Sequence, residues 1–341
     1  MEIAEIDYEL PEQAIAQAPV EPRHAARLLV DRGGDLPAAD ATVADLPSCL
    51  GEGDVVVVNE TRVLPARLAL RKPTGGSVEV LLLEPAGDAW EALVRPGRRV
   101  PPGTRLVAGE DLAVEVGERL PGGRRRVRLA TADEPAALER HGTLPLPPYI
   151  HTPLDEPERY QTVFARRPTT EAGHSVGSVA APTAGLHLTP SVLDGCRAAG
   201  AGVATVELLV GLDTFRPVTT EHVEDHAIHA ERYRVPPATL EACDRARRVV
   251  AVGTTVVRSL ESAAATGVTE GRTSLFIHGD YRFRVVDLLM TNFHMPRSTL
   301  LALVDSFAGA RWRDLYAVAL ARGYRFLSFG DAMLLTRRSV R

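Results

Sequence analysis

The sequence predicts an α/β protein with a small β-rich domain inserted between its first segment and the remainder. The length of 341 residues favours two domains over one core. Residues 66–130 contain short apolar runs separated by Gly and Pro turns, which is typical of a small antiparallel sheet or barrel. Beyond a proline-rich segment, helix and strand patterns alternate, which indicates parallel pairing.

The amino-terminal half carries most of the strand signals. A buried strand is predicted at 54–58 (DVVVV), and the β-rich block follows with ARLAL, SVEVLLLE, AWEALVR, LAVEVGE and RRRVRLA. PLPPYIHTP at 145–153 then marks a boundary, because its prolines cannot lie inside a helix or a central strand. The carboxyl-terminal half is predicted to hold helices at 190–199, 238–248, 256–265 and 298–307, and strands at 203–210, 249–253 and 283–290.

Composition limits the class of protein. The formal net charge of −5 argues against a chain coated in nucleic acid, although local basic clusters remain at Arg95, Arg98 and Arg99 and at 124–128. Three widely spaced cysteines predict neither a disulfide framework nor a zinc knuckle. The acidic first residues differ from a signal peptide, and no apolar run reaches the roughly 20 residues of a membrane span. We therefore expect a cytoplasmic protein.

Two loops at predicted strand ends carry candidate binding residues. VGTTVVRSLES (252–262) leads from a strand into a helix and places Gly253, Thr254 and Thr255 at a helix start, where free N–H groups attract anions. Simple capping by threonine is the structural alternative. Farther along this helix, Arg258 and Glu261 are spaced to pair with each other.

TNFHMPRSTLL (291–301) repeats the strand-to-helix pattern and offers Asn292 and His294. Loops at the carboxyl ends of strands are the usual ligand-binding edge of an α/β sheet. A single histidine in such a loop is also often only a hydrogen-bonded residue, so both interpretations stay open.

Small residues and histidines mark two further segments. AAPTAGLHLT (180–189) surrounds Thr183, Gly185 and His187 with small residues, which suit either close approach to a ligand or an irregular turn. VEDHAIHAERY (223–233) offers His226, His229 and Glu231, with His222 just upstream. No HExxH arrangement accompanies them, so acid–base or hydrogen-bonding roles are favoured over a metal site.

Residues 173–177 (GHSVG) match the G-x-S-x-G elbow of serine hydrolases. That motif functions only between a strand and a helix. Its neighbours here are polar or contain proline, so a hydrolase is not favoured.

Together these segments resemble the S-adenosylmethionine:tRNA ribosyltransferase-isomerase family of queuosine biosynthesis. The matching words occur in family order from residue 8 to residue 335 and include YELPEQAIAQAPVEPR, VVVNETRVLPARL, PLPPYI, RYQTVFA, SVAAPTAGLHLT, TFRPV, EDHAIHAE, VGTTVVRSLES, YRFRVVDLLMTNFHMPRSTLL and YRFLSFGDAMLL. The resemblance implies a barrel-like α/β core, 1–62 and 150–341, with an inserted antiparallel β-barrel domain at 63–149.

The resemblance also implies a reaction. S-adenosylmethionine is the co-substrate that donates its ribosyl unit to 7-aminomethyl-7-deazaguanine in a tRNA anticodon, which gives epoxyqueuosine, adenine and methionine without a metal. A base at the sugar 5′ carbon, a donor for adenine and a positioned amine are needed. We expect these roles to fall to four histidines and the contacts to substrate to eleven other residues: His187, His226, His229 and His294, then Asn59, Thr61, Arg62, Thr183, Gly185, Glu231, Gly253, Thr254, Thr255, Arg258 and Asn292.

Some positions depart from the family pattern. Residues 169–177 resemble an insertion beside the expected site, Asp213 stands where a glycine is usual, and Leu188 replaces a usual phenylalanine. Two alternatives to the transferase therefore stay open: a diverged relative that uses S-adenosylmethionine on another acceptor, and a tRNA-binding relative without catalysis.

Overall fold

The computed structural model of the chain describes residues 1–34, 36–166, 169–171, 174–211 and 217–338. The chain forms two compact units. The core unit comprises Met1–Glu60, Pro147–Ala165 and Pro182–Arg341, and the barrel unit comprises Thr61–Leu146 and Arg166–Ala181.

The strands are β1 Arg27–Val30, β2 Ala39–Thr42, β3 Asp54–Asn59, β4 Arg67–Arg71, β5 Ser77–Ala86, β6 Ala89–Arg95, β7 Thr104–Ala108, β8 Leu112–Arg119, β9 Arg125–Ala130, β10 Gly142–Thr143, β11 Thr169–Glu171, β12 His174–Val176, β13 Gly202–Leu208, β14 Glu231–Arg234, β15 Arg248–Val252, β16 Glu270–Thr273, β17 Leu288–Asn292 and β18 Ala332–Thr336. The α-helices are α1 Glu134–His141, α2 Pro190–Ala198, α3 Pro237–Arg245, α4 Thr254–Thr266, α5 Thr299–Ala308 and α6 Arg311–Ala321.

A mixed nine-stranded sheet organises the core unit, in the order β16-β14-β13-β3-β15-β17-β18-β1-β2. Its centre, from β13 through β3 and β15 to β17, is parallel. The flanking strands β14 and β18 run antiparallel to that centre. The carboxyl edge is therefore the edge where β13, β3, β15 and β17 end and where β14 and β18 begin.

Strand β3 lies in the middle of this sheet because its sequence suits burial on both faces. All six of its residues are buried, as expected for a β-branched apolar run in a parallel sheet. Val56 and Val58 contribute to a core cluster with residues of β15, β17 and α2. The central strand thus ends at Asn59 on the carboxyl edge.

The strand predicted at 283–290 is displaced in the structure, where β17 begins only at Leu288. The backbone N–H groups of Arg284, Val285 and Val286 donate to the carboxylate of Glu261 over 2.9, 3.0 and 3.2 Å. A buried carboxylate therefore takes the hydrogen bonds that a strand would give to its neighbour.

The barrel unit contains a closed antiparallel barrel. Six strands follow the order β4-β5-β6-β9-β8-β7, Arg71 of β4 pairs with Val107 of β7 to close the ring, and β10 adds to β4. Trp90 is buried inside this unit and donates its indole N–H to Glu134 over 3.2 Å. The predicted fold class, an α/β core with an inserted antiparallel barrel, is confirmed.

The boundaries differ from those expected. Residues 166–181, which we assigned to the core, group with the barrel unit. Within that segment β11 and β12 pair in antiparallel orientation, and the stretch resembling an insertion belongs to the barrel unit. Ser175 lies inside β12 rather than at a strand-to-helix elbow, which agrees with rejecting the hydrolase motif.

None of the helices in the described ranges combines the length and the apolar character that crossing a membrane requires.

Candidate functional site

Most of the predicted site residues of the core unit lie along the carboxyl edge. Asn59 and Asn292 end β3 and β17, Gly253 follows β15, and Glu231 begins β14. The turn Thr183–His187 packs against this edge through Asn292. The prediction that strand ends collect the candidate residues therefore holds for the segments around β3, β15 and β17.

The turn from β15 into α4 depends on Gly253. This residue has φ 94° and ψ 153°, a conformation that residues with a Cβ rarely adopt. Its backbone N–H donates to the carbonyl oxygen of Met290 over 2.7 Å. It is the N-cap of α4, and no side chain caps the helix. The alternative that a threonine caps this helix is therefore wrong. Thr254 and Thr255 lie in the first turn instead, where backbone N–H groups have no partner within the helix.

Asn59 links two strands rather than projecting outward. Its amide donates to Leu208 of β13 over 3.0 Å and to the Thr255 hydroxyl over 3.3 Å, and its oxygen accepts from the Leu208 N–H over 3.1 Å. The side chain is fully buried. Asn59 therefore fixes the ends of β3 and β13 and the start of α4.

Asn292 is the centre of a buried network with Thr183 and His187. Its Oδ1 accepts from the Thr183 hydroxyl over 2.9 Å, and its Nδ2 donates to His187 Nε2 over 3.2 Å. Nδ2 also donates to the carbonyl oxygen of Asp331 over 3.4 Å. Since a carbonyl oxygen can only accept, this contact sets the orientation of the amide.

His187 is buried and neutral. Burial, followed by the charges of Arg325 and Arg23, lowers its pKa to about 4. The imidazole also lines a narrow pocket in the core unit, whose walls are Pro19, Val20, Arg23, Arg159, Leu186, Ser328 and Phe329. His187 thus connects the carboxyl edge with a pocket bordered by two arginines.

Gly185 is required by close packing. A Cβ at this position would lie 2.8 Å from Phe164 Cζ and 3.1 Å from Thr162 Cγ2. Of the two interpretations of the small residues, the structure supports the tight irregular turn.

His294 is held by an aromatic cluster. Its N–H donates to the Tyr316 hydroxyl over 2.9 Å, and its carbonyl accepts from the Tyr8 hydroxyl over 2.6 Å. The ring Nε2 lies 3.0 Å from Thr291 Oγ1. Burial lowers the pKa of His294 to about 3, so this ring is neutral as well.

Arg258 pairs with Glu231 and not with Glu261, which corrects the pairing expected from spacing. The guanidinium contacts the Glu231 carboxylate and also donates to the carbonyl of Leu275 over 3.1 Å. Glu231 accepts in addition from the Gly211 N–H over 2.8 Å. Both side chains are about one-tenth exposed. Glu261 is instead occupied by the backbone N–H groups that precede β17.

His226 and His229 lie before β14, four strands away from β17 in the sheet order. His229 is exposed, and His226 packs edge-on against Phe276 with 6.0 Å between ring centroids. In the described part of the chain, no three His, Cys, Asp or Glu side chains converge as a metal site requires. The four predicted histidines therefore divide into a buried pair and a more open pair.

Thr61 and Arg62 belong to the barrel unit, where the Thr61 hydroxyl lies 2.8 Å from that of Ser178.

The arginines of β9 and of the turn before it are buried or lie close to acidic side chains. Arg124 and Arg128 pair with Glu91 and Asp88 over 2.9 and 2.8 Å. Arg125 is buried and Arg126 lies 3.6 Å from Glu118. Asp213 lies outside the described residues.

Sequence reasoning missed the residues around the His187 pocket. Arg23 donates to the carbonyls of Gln161 and Glu158 over 2.6 and 2.8 Å. The Ser328 hydroxyl lies 2.7 Å from that of Tyr149, whose pKa burial raises to about 12. These residues are distant in sequence and follow no spacing rule. The only signal in the sequence that could have identified them is that Arg23, Tyr149 and Ser328 lie in the family motifs APVEPR, PLPPYI and YRFLSFGDAM.

Comparisons with known proteins cover nearly the entire chain. The family model described as "Queuosine biosynthesis protein" matches residues 3–335. The chain belongs to this family. A protein of Rubrobacter xylanophilus named S-adenosylmethionine:tRNA ribosyltransferase-isomerase is 54% identical over 336 residues, which cover 98% of each chain. One of Moorella thermoacetica with the same name is 52% identical over 98% of this chain and 100% of its own length.

A solved structure of a queuosine-family relative supports the fold. The S-adenosylmethionine tRNA ribosyltransferase of Thermotoga maritima matches with a TM-score of 0.55 and 37% identity, over 97% of this chain and 99% of that one. The family resemblance predicted from the sequence is confirmed. The names of these relatives do not favour the diverged acceptor or the non-catalytic binder.

Proposed function

We propose that this chain is an S-adenosylmethionine:tRNA ribosyltransferase-isomerase. It moves the ribosyl moiety of S-adenosylmethionine onto 7-aminomethyl-7-deazaguanine in the anticodon region of tRNA and forms epoxyqueuosine. Adenine and methionine are the released products, no metal takes part, and the reaction takes place in the cytoplasm. The observation that carries this proposal is the 54% identity to a relative of that name over 98% of both chains.

The carboxyl edge offers groups suited to this substrate. The first turn of α4 can accept the methionine carboxylate, because the N–H groups of Thr254 and Thr255 and the helix dipole favour an anion. Arg258 and Glu231 hold α4 against β14, and Asn59 holds its start. These residues therefore shape the binding surface as much as they contact it.

The chemistry assigns different tasks to the histidines. The sulfonium acidifies the adjacent 5′ carbon, so a base is needed there, and the departing adenine needs a donor. His226 and His229 are more accessible than the buried pair and suit proton transfer with the bound substrate. His187 and His294 are buried and neutral, which suits fixed hydrogen bonds.

The activity is tested by incubating the purified full chain with S-adenosylmethionine and tRNA that carries the aminomethyl-deazaguanine. We expect adenine release and a gain in tRNA mass corresponding to epoxyqueuosine, both unaffected by a metal chelator. The matched control is the same tRNA with guanine at that position, which should give neither product. Absence of adenine from the folded protein, or equal release with the control tRNA, contradicts the proposal.

Exposed cations on the barrel unit are proposed to contact tRNA. Arg98 and Arg99 lie exposed in the turn Gly97–Arg99, and none of the described acids pairs with them. By contrast, Arg124 and Arg126 have acidic neighbours. We expect Arg98→Glu with Arg99→Glu to weaken tRNA binding and flatten its salt dependence, because each lost phosphate contact lowers the slope by about one. Arg124→Glu with Arg126→Glu is the matched comparison, and a larger effect there would reverse the assignment.

A further inference from the structure

The orientation of Asn292 determines which nitrogen of His187 carries the proton. Asn292 Nδ2 donates to the Asp331 carbonyl over 3.4 Å and to His187 Nε2 over 3.2 Å. The Thr183 hydroxyl donates to the opposite end of the amide over 2.9 Å. His187 Nε2 must therefore accept, and in a neutral imidazole the proton then lies on Nδ1.

The neutral state follows from the surroundings of the ring. Two cations, Arg325 and Arg23, lower the pKa of the ring. Arg159, which also lines the pocket, pairs with Glu21. The carboxylate of Asp331 accepts from the backbone N–H groups of Arg27 and Arg325. Burial and the first two arginines disfavour an imidazolium. With Nε2 occupied by Asn292, Nδ1 is the nitrogen that remains for the pocket bordered by Arg23 and Ser328.

We propose that Asn292 is a positioning residue that holds His187 in its Nδ1–H tautomer, so that His187 acts in the reaction as a hydrogen-bond donor and not as a base. This inference rests on the proposed function and assigns one of its roles. A neutral imidazole N–H can stabilise negative charge that develops on a departing purine without transferring its proton. The base at the 5′ carbon must then be another group.

The tautomer can be measured without any turnover. In protein labelled with ¹⁵N-histidine at pH 7, the Nδ1 signal of His187 should be that of a protonated nitrogen and the Nε2 signal that of an unprotonated one. His187→Asn identifies the signals by their loss. In Asn292→Asp the carboxylate can only accept, so the two signals should exchange character. A protonated Nε2 in the unaltered protein would overturn the inference.

Two substitutions of His187 separate a donor from a base. The amide nitrogen of asparagine is bonded to Cγ, as is imidazole Nδ1, so His187→Asn retains a donor there but provides no base. We expect His187→Ala to slow adenine release by about 100- to 1,000-fold, as removal of a preorganised donor does, and His187→Asn to slow it about tenfold or less. Equal losses in both variants contradict the donor role.

Asn292→Asp gives the sharpest distinction, through the pH profile. The carboxylate favours the Nε2–H tautomer and raises the pKa of His187, so the variant should be slow at high pH. Its rate should increase as the pH falls, because the imidazolium again has a proton on Nδ1. If His187 is a base, the rate falls on acidification instead. Adenine release by the unaltered protein tests the proposed function separately from all three variants.

Discussion

The candidate residues along the carboxyl edge of the core sheet fall into two groups. The closed part contains the buried or nearly buried side chains of His187, Asn292, Arg258 and Glu231, and the open part contains the more accessible His226 and His229. In the closed part, Asn292 is saturated by Thr183, His187 and Asp331, and Arg258 is buried against Glu231. In the open part, His229 is exposed, and His226 is half-buried and packs edge-on against Phe276. The difference shows that residues of the same types on one edge are fixed by buried hydrogen bonds in one place and remain accessible in another.

The largest effect should come from breaking the buried pair of the closed part. Arg258→Met removes the guanidinium that contacts the largely buried Glu231 carboxylate, and we expect the free energy of unfolding to fall by about 3–5 kcal/mol in denaturant titrations. The matched control is Arg245→Met, because Arg245 and Glu241 form an exposed pair of the same residue types on α3. Arg245→Met should lower the free energy of unfolding by about 0.5 kcal/mol or less. Similar losses in the two variants would show that burial does not make the Arg258–Glu231 pair more important for stability than an exposed pair.

A smaller effect is expected from acid. Unfolded histidine binds a proton below about pH 6.5, whereas burial keeps folded His187 and His294 neutral down to pKa values of about 4 and 3. The unfolded state therefore binds more protons in this window, and stability falls as the pH falls. Each of these two histidines should lower the free energy of unfolding by about 2 kcal/mol when the pH falls from 7 to 5.

The measurement for this prediction is the free energy of unfolding at both pH values. His187→Gln should lose about 2 kcal/mol less on acidification than the unaltered protein does. His229→Gln removes an exposed imidazole from the open part, so the acid loss should persist there. An unchanged acid loss in His187→Gln would show that this ring is not held neutral.

Several elements lay outside sequence reasoning for identifiable reasons. Strands β1 and β18 lie side by side near one end of the sheet, but their four or five residues give little periodicity. Helix α6, Arg311–Ala321, follows α5 after a short break and was not predicted. By contrast, the ends of α2 and α5 were predicted within about one residue, and Thr189 and Ser298 cap the starts of these helices as their residue types suggest.

In the sequence, the matching motifs identified the family and implied the inserted barrel. Apolar periodicity and turn residues, which are local signals, predicted the α/β class, the inserted β-rich block and the polar loops at strand ends. Only the tertiary structure decided the partners of those polar residues. Spacing suggested Arg258 with Glu261, whereas burial joins Arg258 to Glu231 and gives Glu261 to the backbone before β17. The proton on His187 likewise depends on Asn292 and Asp331, which are more than a hundred residues away. Hydrogen-bond satisfaction in a buried site is a property of the folded neighbourhood, and no local pattern encodes it.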